Sequence, residues 1–147
     1  MKWQVIVAGK PALEYAKSGV EEYLRRLRRY SDCEVVMVKA GDSKVVSALL
    51  FEKSAGSYRI ALDERGLRPT TRELSEKLAA LEMRGEIKTV SFLIGAADGH
   101  TEELRKNCDM VLSLSSMTMQ HELALVVLLE QIYRIATLRK GEPYHRD

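Results

Sequence analysis

The residues best suited to chemistry fall into three groups. The first is the hydroxyl-rich run Leu114-Ser115-Ser116-Met117-Thr118-Met119, closed by Gln120 and His121. No charge stands between Asp109 and Glu122, so the run joins two apolar stretches. Such a segment can wrap a flat heterocycle: main-chain N–H and C=O groups read its edges, and Leu114, Met117 and Met119 supply apolar walls. It can also be a plain helix start capped by Thr118 or Ser116, with the methionines in the core. His121 carries the side chain suited to proton exchange near neutral pH.

The second group is Leu93 to His100, "LIGAADGH", which reads as strand, glycine turn and helix start. Gly95 lets the backbone come close to a ligand, and the amides that follow can face an anion. The pattern is neither G-x-G-x-x-G nor a P-loop, and a tight turn without a ligand fits it equally. The third group is the tail "LRKGEPYHRD", with Arg139, Lys140, Tyr144, His145 and Arg146. Cations bind phosphate and an aromatic ring stacks on a base. A solvated, frayed end is the alternative, although Pro143 stiffens the segment and Tyr144 is poorly suited to water.

The elements that must position these groups alternate along the chain. Trp3–Ala8, Cys33–Val38, Tyr58–Leu62, Lys88–Ile94 and Asp109–Leu114 read as strands. Leu13, Ala16, Val20, Tyr23, Leu24 and Leu27 recur at threes and fours, which predicts a first helix with one apolar face. Its other face carries Arg25, Arg28 and Arg29, either a phosphate-contacting surface or a solvated flank. A short helix is expected from Lys44 to Lys53, and Thr70 with Glu73 has capping-box spacing for a helix to about Met83. Thr101 opens a helix with Glu102 and Glu103 in its first turn, where acids suit the dipole. Residues 122–138 form the last helix, apolar on more than one face, and Arg139 to Asp147 is a tail. The alternation predicts one α/β domain over residues 1–147, with a mostly parallel sheet and helices on both faces. In such sheets ligands sit at the carboxyl ends of strands, which frames a site at Leu62-Asp63, Gly95–Gly99 and Leu114–His121.

Composition narrows the classes of function. The 147 residues suit one domain, and 46% apolar content allows a sizeable core. A net charge of +2 does not mark a bulk polyanion binder, so any nucleic-acid surface is a local patch. Cys33 and Cys108 form no CxxC pair, and His100, His121 and His145 show no metal-ligand spacing with them. Two reduced, buried thiols and no metal site are expected. No run is long enough to span a bilayer and none reads as a signal peptide, which makes the cytoplasm the expected location.

The order of "LDERG", "SFLIGAADG", "LSLSSMTMQHELALVVLLEQIYR" and terminal "PYHRD", with "EYLRRL" near the start, resembles the small single-domain SPOUT methyltransferases. Within that class it is most similar to the ribosomal RNA large subunit methyltransferase H family, and the likeness covers essentially the whole chain. The resemblance implies an α/β-knot fold with a C-terminal trefoil knot, S-adenosylmethionine as cofactor, and a homodimer whose two subunits both meet RNA. It implies methylation of N3 of a pseudouridine in 23S ribosomal RNA within the ribosome. Cofactor contacts would fall on Leu62, Gly95 and Leu114 through Met119, and the tail from Tyr144 to Arg146 would approach the target nucleotide. A protonated imide nitrogen has no free lone pair, so a group must take the N3 proton or stabilise the anion. His121, His145 and Arg146 are the available groups, with His145 expected to help the proton leave and Arg146 to stabilise the anion. Two positions depart from the family pattern: Ala96 replaces a second glycine, and Gln120 replaces a proline before His121. The alternatives are a SPOUT methyltransferase of another RNA such as tRNA, or a non-catalytic nucleotide- or RNA-binding module.

Overall fold

The computed structural model describes residues 1–146; Asp147, the end of the expected tail, lies outside the described residues. Ten elements follow one another: β1 (Lys2–Ala8), α1 (Glu14–Leu27), β2 (Cys33–Val38), α2 (Ser43–Lys53), β3 (Tyr58–Leu67), α3 (Thr71–Met83), β4 (Thr89–Ile94), α4 (Glu102–Asn107), β5 (Met110–Leu112) and α5 (His121–Arg139). The five strands form one sheet in the order β2-β1-β4-β3-β5. Every pairing in it is parallel, beyond the mostly parallel sheet that the alternation predicts.

Parallel neighbours cannot be joined by a hairpin, so the connecting helices cross over the sheet and cover it. The pleat sends alternate residues to opposite faces, and both faces are buried. On one face Trp3, Val5, Val7, Ile60, Val90 and Phe92 pack with Leu27 of α1, Leu74, Leu78 and Leu81 of α3, and Leu125, Leu128, Leu129, Ile132 and Ile135 of α5. On the other, Ile6, Ala8 and Leu93 meet Val46 and Leu50 of α2 and Leu104 of α4. The apolar breadth of α5 is thus largely used inside the domain, with Leu123 at its start left 39% exposed.

Local chemistry sets the element ends. Thr70 and Glu73 form the expected capping box at the start of α3, and the Thr101 side chain caps α4. The start of α1 has no cap of its own; the Glu122 carboxylate on α5 accepts from the amides of Ala12 and Leu13 at 2.5 and 3.0 Å. Those amides, Leu13's foremost, hold the Glu122 carboxyl below its usual range.

The expected boundaries of β3, β5 and α5 shift, and β1, α2 and β4 each start one residue from where they were expected. β3 runs on through the charged residues Asp63-Glu64-Arg65 to Leu67, and its pairing with β5 slips, because Leu112 pairs with both Leu62 and Leu67. Gly66 makes that return possible: a Cβ there would stand 2.5 Å from the Val111 carbonyl. β5 shortens to three residues, and Ser113 donates its amide to Leu67 outside the ladder. α5 starts at His121. The two thiols are unpaired but half-buried rather than buried, and desolvation pushes Cys33 up to about 12 and Cys108 to about 11. No helix among the described residues is long and apolar enough to cross a membrane.

Candidate functional site

A cleft of about 340 Å³ opens at the carboxyl ends of β3, β4 and β5, where the sequence framed it. The volume falls in the range of small-molecule sites. Leu62, Gly95, Leu114, Ser115, Met117, Thr118 and Met119 line it, with His121 at its edge; Ser116 is exposed and does not. Asp63, Glu64, Arg65, Asp98 and His100 complete the wall.

The hydroxyls of the 114–119 segment have a mechanical role. Among the described residues, none of the backbone–backbone hydrogen bonds outside helices and strands involves this segment. Side chains hold the segment instead. Ser113 Oγ donates to the Ser115 carbonyl at 2.7 Å, Ser115 Oγ accepts from the Met117 amide at 3.0 Å, and Thr118 Oγ1 donates to Glu64 Oε2 at 2.6 Å across the cleft mouth. Main-chain donors and acceptors are thereby left for a ligand, between the apolar side chains of Leu62, Ile94 and Leu114.

α5 is capped by neither Thr118 nor Ser116. Gln120 Oε1 accepts from the Leu123 amide at 3.0 Å and sits 3.3 Å from the Tyr15 hydroxyl. Its φ of −62° is the value a proline ring would impose, so glutamine at this place leaves the path of the chain unchanged. The other departure is equally mild. Ala96 does not take a positive φ, its carbonyl accepts from the Gly99 amide at 2.9 Å, and its methyl packs on the α2–α4 core.

The β4 turn is pinned from behind. Ser43 at the start of α2 donates its amide to Asp98 and its hydroxyl to the Gly99 carbonyl. His100 is buried beneath Gly95, with Nε2 3.0 Å from the Leu93 carbonyl. Burial, the largest influence, pulls its pKa below the ordinary value. At the mouth, Asp63 accepts from the Arg65 amide, Nε and Nη2 at 2.8–2.9 Å, and this guanidinium holds the carboxyl down at about 2.

The tail stands elsewhere. Tyr144 donates to Glu130 at 3.1 Å and packs edge-on to Tyr133 at 4.7 Å, while burial pushes its hydroxyl up to about 12. His145 Nδ1 lies 3.2 Å from Arg134, so it accepts there, and Arg146 is exposed. Arg134 is thirteen residues along α5 from His121, about 20 Å at helical rise. Within one chain, Tyr144, His145 and Arg146 therefore do not join His121 at the cleft.

Sequence reading passed over His100, the Glu64–Thr118 bridge and Glu122. A lone histidine after a glycine, or an acid in a first helical turn, has many ordinary explanations, and the partners of Glu64 and Glu122 lie far along the chain.

Comparison with known proteins follows the same outline. The family model described as "Predicted SPOUT methyltransferase" matches residues 1–145. The protein named ribosomal RNA large subunit methyltransferase H of Thermus thermophilus is 49% identical over 99% of both chains. Its namesake in Deinococcus radiodurans is 41% identical, again over 99% of both. Among solved structures, a protein titled a probable methyltransferase from Bordetella pertussis aligns with a TM-score of 0.62 at 16% identity, covering 92% of this chain and 96% of its own.

Proposed function

The chain belongs to the SPOUT methyltransferase family, and from that premise we propose that it methylates N3 of a pseudouridine in 23S ribosomal RNA, using S-adenosylmethionine, as a cytoplasmic homodimer with a C-terminal trefoil knot. The observation that carries the reading is the cleft whose 114–119 wall keeps its peptide groups out of backbone pairing. Adenosine is flat, apolar on its faces and polar at its edges. The walls fit it: Leu62, Ile94 and Leu114 offer apolar surface, Gly95 offers close approach, and the free main chain offers edge partners. The two relatives' printed names support the ribosomal substrate.

Bound S-adenosylmethionine supplies an electrophilic methyl group on a sulfonium. The chain supplies position and charge. Leu114 to Met119 hold the nucleoside part, and the Thr118–Glu64 bridge fixes the outer wall. The tail contributes from a second copy, because about 20 Å separates it from His121 of its own chain. In the assembled site His145, its Nδ1 released from Arg134, takes the N3 proton there, Arg146 stabilises the imide anion and grips phosphate, Tyr144 anchors the tail, and His121 lines the approach. The test is transfer of labelled methyl to large subunits or ribosomes, followed by nucleoside analysis. Label in N3-methylpseudouridine supports the reading; label in transfer RNA, or donor binding without transfer to any RNA, overturns it.

A further inference from the structure

His100 is the one strongly buried imidazole of the described residues, and none of the steps above uses it. It is 5% exposed, lines the cleft and follows Gly99, whose φ is +77°. Its Nε2 lies 3.0 Å from the Leu93 carbonyl. A carbonyl can only accept, so Nε2 carries the proton and Nδ1 keeps its lone pair. That Nδ1 is buried with no hydrogen-bond partner. It lies against Gly95: a Cβ at Gly95 would stand 3.1 Å from Nδ1 and 3.2 Å from Cε1.

We propose that His100 is a positioning residue of the cleft: its neutral ring, tied through Nε2 to Leu93, sets how far Gly95 stands back from the bound methyl donor. The inference rests on the cleft being the donor site. The ring is held at one end by Leu93 near the end of β4 and fills the space beneath Gly95 at the other, so the glycine turn cannot sink toward the core. Ser47 Oγ accepts from the next amide, Thr101, at 3.1 Å and fixes the chain just beyond the ring.

The device is sensitive to protonation. Nδ1 makes no hydrogen bond in the folded chain, and a proton there would put a cation into the wall facing a sulfonium. The charged groups around the ring are Asp63 from β3, Arg105 from α4 and Asp98 in the turn, while α2 contributes the neutral Ser43 and Ser47. Burial, the largest influence, opposes the imidazolium together with Arg105, while the Leu93 carbonyl, Asp63 and the Leu62 carbonyl favour it.

Calorimetric titration with S-adenosylmethionine of the wild type, His100→Gln and His100→Leu tests this, with thermal melting to confirm folding. Glutamine keeps an N–H for Leu93 and cannot titrate; leucine keeps bulk and loses the donor. The expected result is binding weakened about tenfold or more in His100→Leu and by no more than about threefold in His100→Gln. Wild-type affinity should fall as pH drops through the depressed pKa of His100, below the ordinary histidine range, and His100→Gln should not follow it. Wild-type affinity in His100→Leu, equal losses in both variants, or identical pH profiles for wild type and His100→Gln would overturn the proposal. NMR of the ligand-free protein gives an independent arm: an Nε2–H tautomer and a Gly95 amide that moves with His100 titration support it, and a Gly95 amide that stays still overturns it. A wild-type protein that binds no donor refutes the functional reading instead, and the NMR arm then decides the role of His100 alone.

Discussion

Asp63 shows how one side chain can serve the fold and the cleft together. Its side chain is 6% exposed, lines the cleft, and takes three hydrogen bonds from Arg65. Its folded-state carboxyl titrates at about 2, below the ordinary value near 3.9. As pH falls from about 4 to about 2, the unfolded chain takes up this proton first, so the contribution is complete above that window and lost through it. The shift caps it at about 2–3 kcal/mol, and the 57% exposure of the Arg65 side chain reduces it further. Urea unfolding of wild type and Asp63→Asn should therefore differ at pH 5 and converge near pH 2. In the sequence Asp63 looks like the first residue of a charged turn; its near-complete burial follows from β3 continuing past it. His121 and the hydroxyl segment were legible, because a charge-free polar run between apolar stretches is rare. His100 was not, because its partner Leu93 and its neighbour Gly95 give it meaning only when the turn is folded back on the strand.

β3 is the element whose behaviour departs most from its local sequence. "DERGL" has the composition of a surface turn, yet it stays extended and returns to β5 at Leu67. The return depends on the missing side chain of Gly66, since a Cβ would strike the backbone of Val111 and Leu112 at 2.5–2.8 Å. Gly66→Ala should cost about 1–3 kcal/mol in urea unfolding, as for other overpacked sites, and weaken donor binding by displacing Glu64 from Thr118. Wild-type values for both would show that the strands separate freely there. The helices were easier to read: the Thr70–Glu73 box and the Thr101 cap act within four residues, and the structure contains both. α1 presents a different question. Arg25 pairs with Glu22 at 2.6 Å, whereas Arg28 and Arg29 are exposed and form no ion pair among the described residues. If they meet phosphate, Arg28→Ala with Arg29→Ala should flatten the salt dependence of RNA binding by up to about two units of slope. An unchanged slope would make them a solvated flank.

At the scale of the whole molecule, the separation between cleft and tail decides how a working site is built. Tyr144 and His145 are moored on Glu130 and Arg134, so the proposed site takes its cleft from one chain and its tail from another. Mixing a tail variant, Arg146→Ala, with a cleft variant, Gly66→Ala, tests this directly. Each alone should be nearly inactive, and random exchange of subunits should restore about a quarter of wild-type sites, because a twofold pair of unlike chains holds one intact site. Failure to regain activity after exchange, with mixed dimers present, would place cleft and tail in the same chain. The alternation of strands and helices made the layered architecture legible, since each period change reports a change of element. The spatial order β2-β1-β4-β3-β5 was not, because the apolar stretches of the five strands resemble one another and none carries a mark of its neighbour.

That strand order has a consequence for the life of the chain. The cleft draws on residues from Leu62 to Ala124, and its last contributors, His121 and Ala124, lie in the final helix. A growing polypeptide therefore has no complete pocket until nearly its whole length has been synthesised, and a shortened product lacking α5 would lack part of the proposed donor site. Metabolite levels would then stabilise finished molecules and do nothing for fragments, so occupancy of the cleft doubles as a mark of completed assembly.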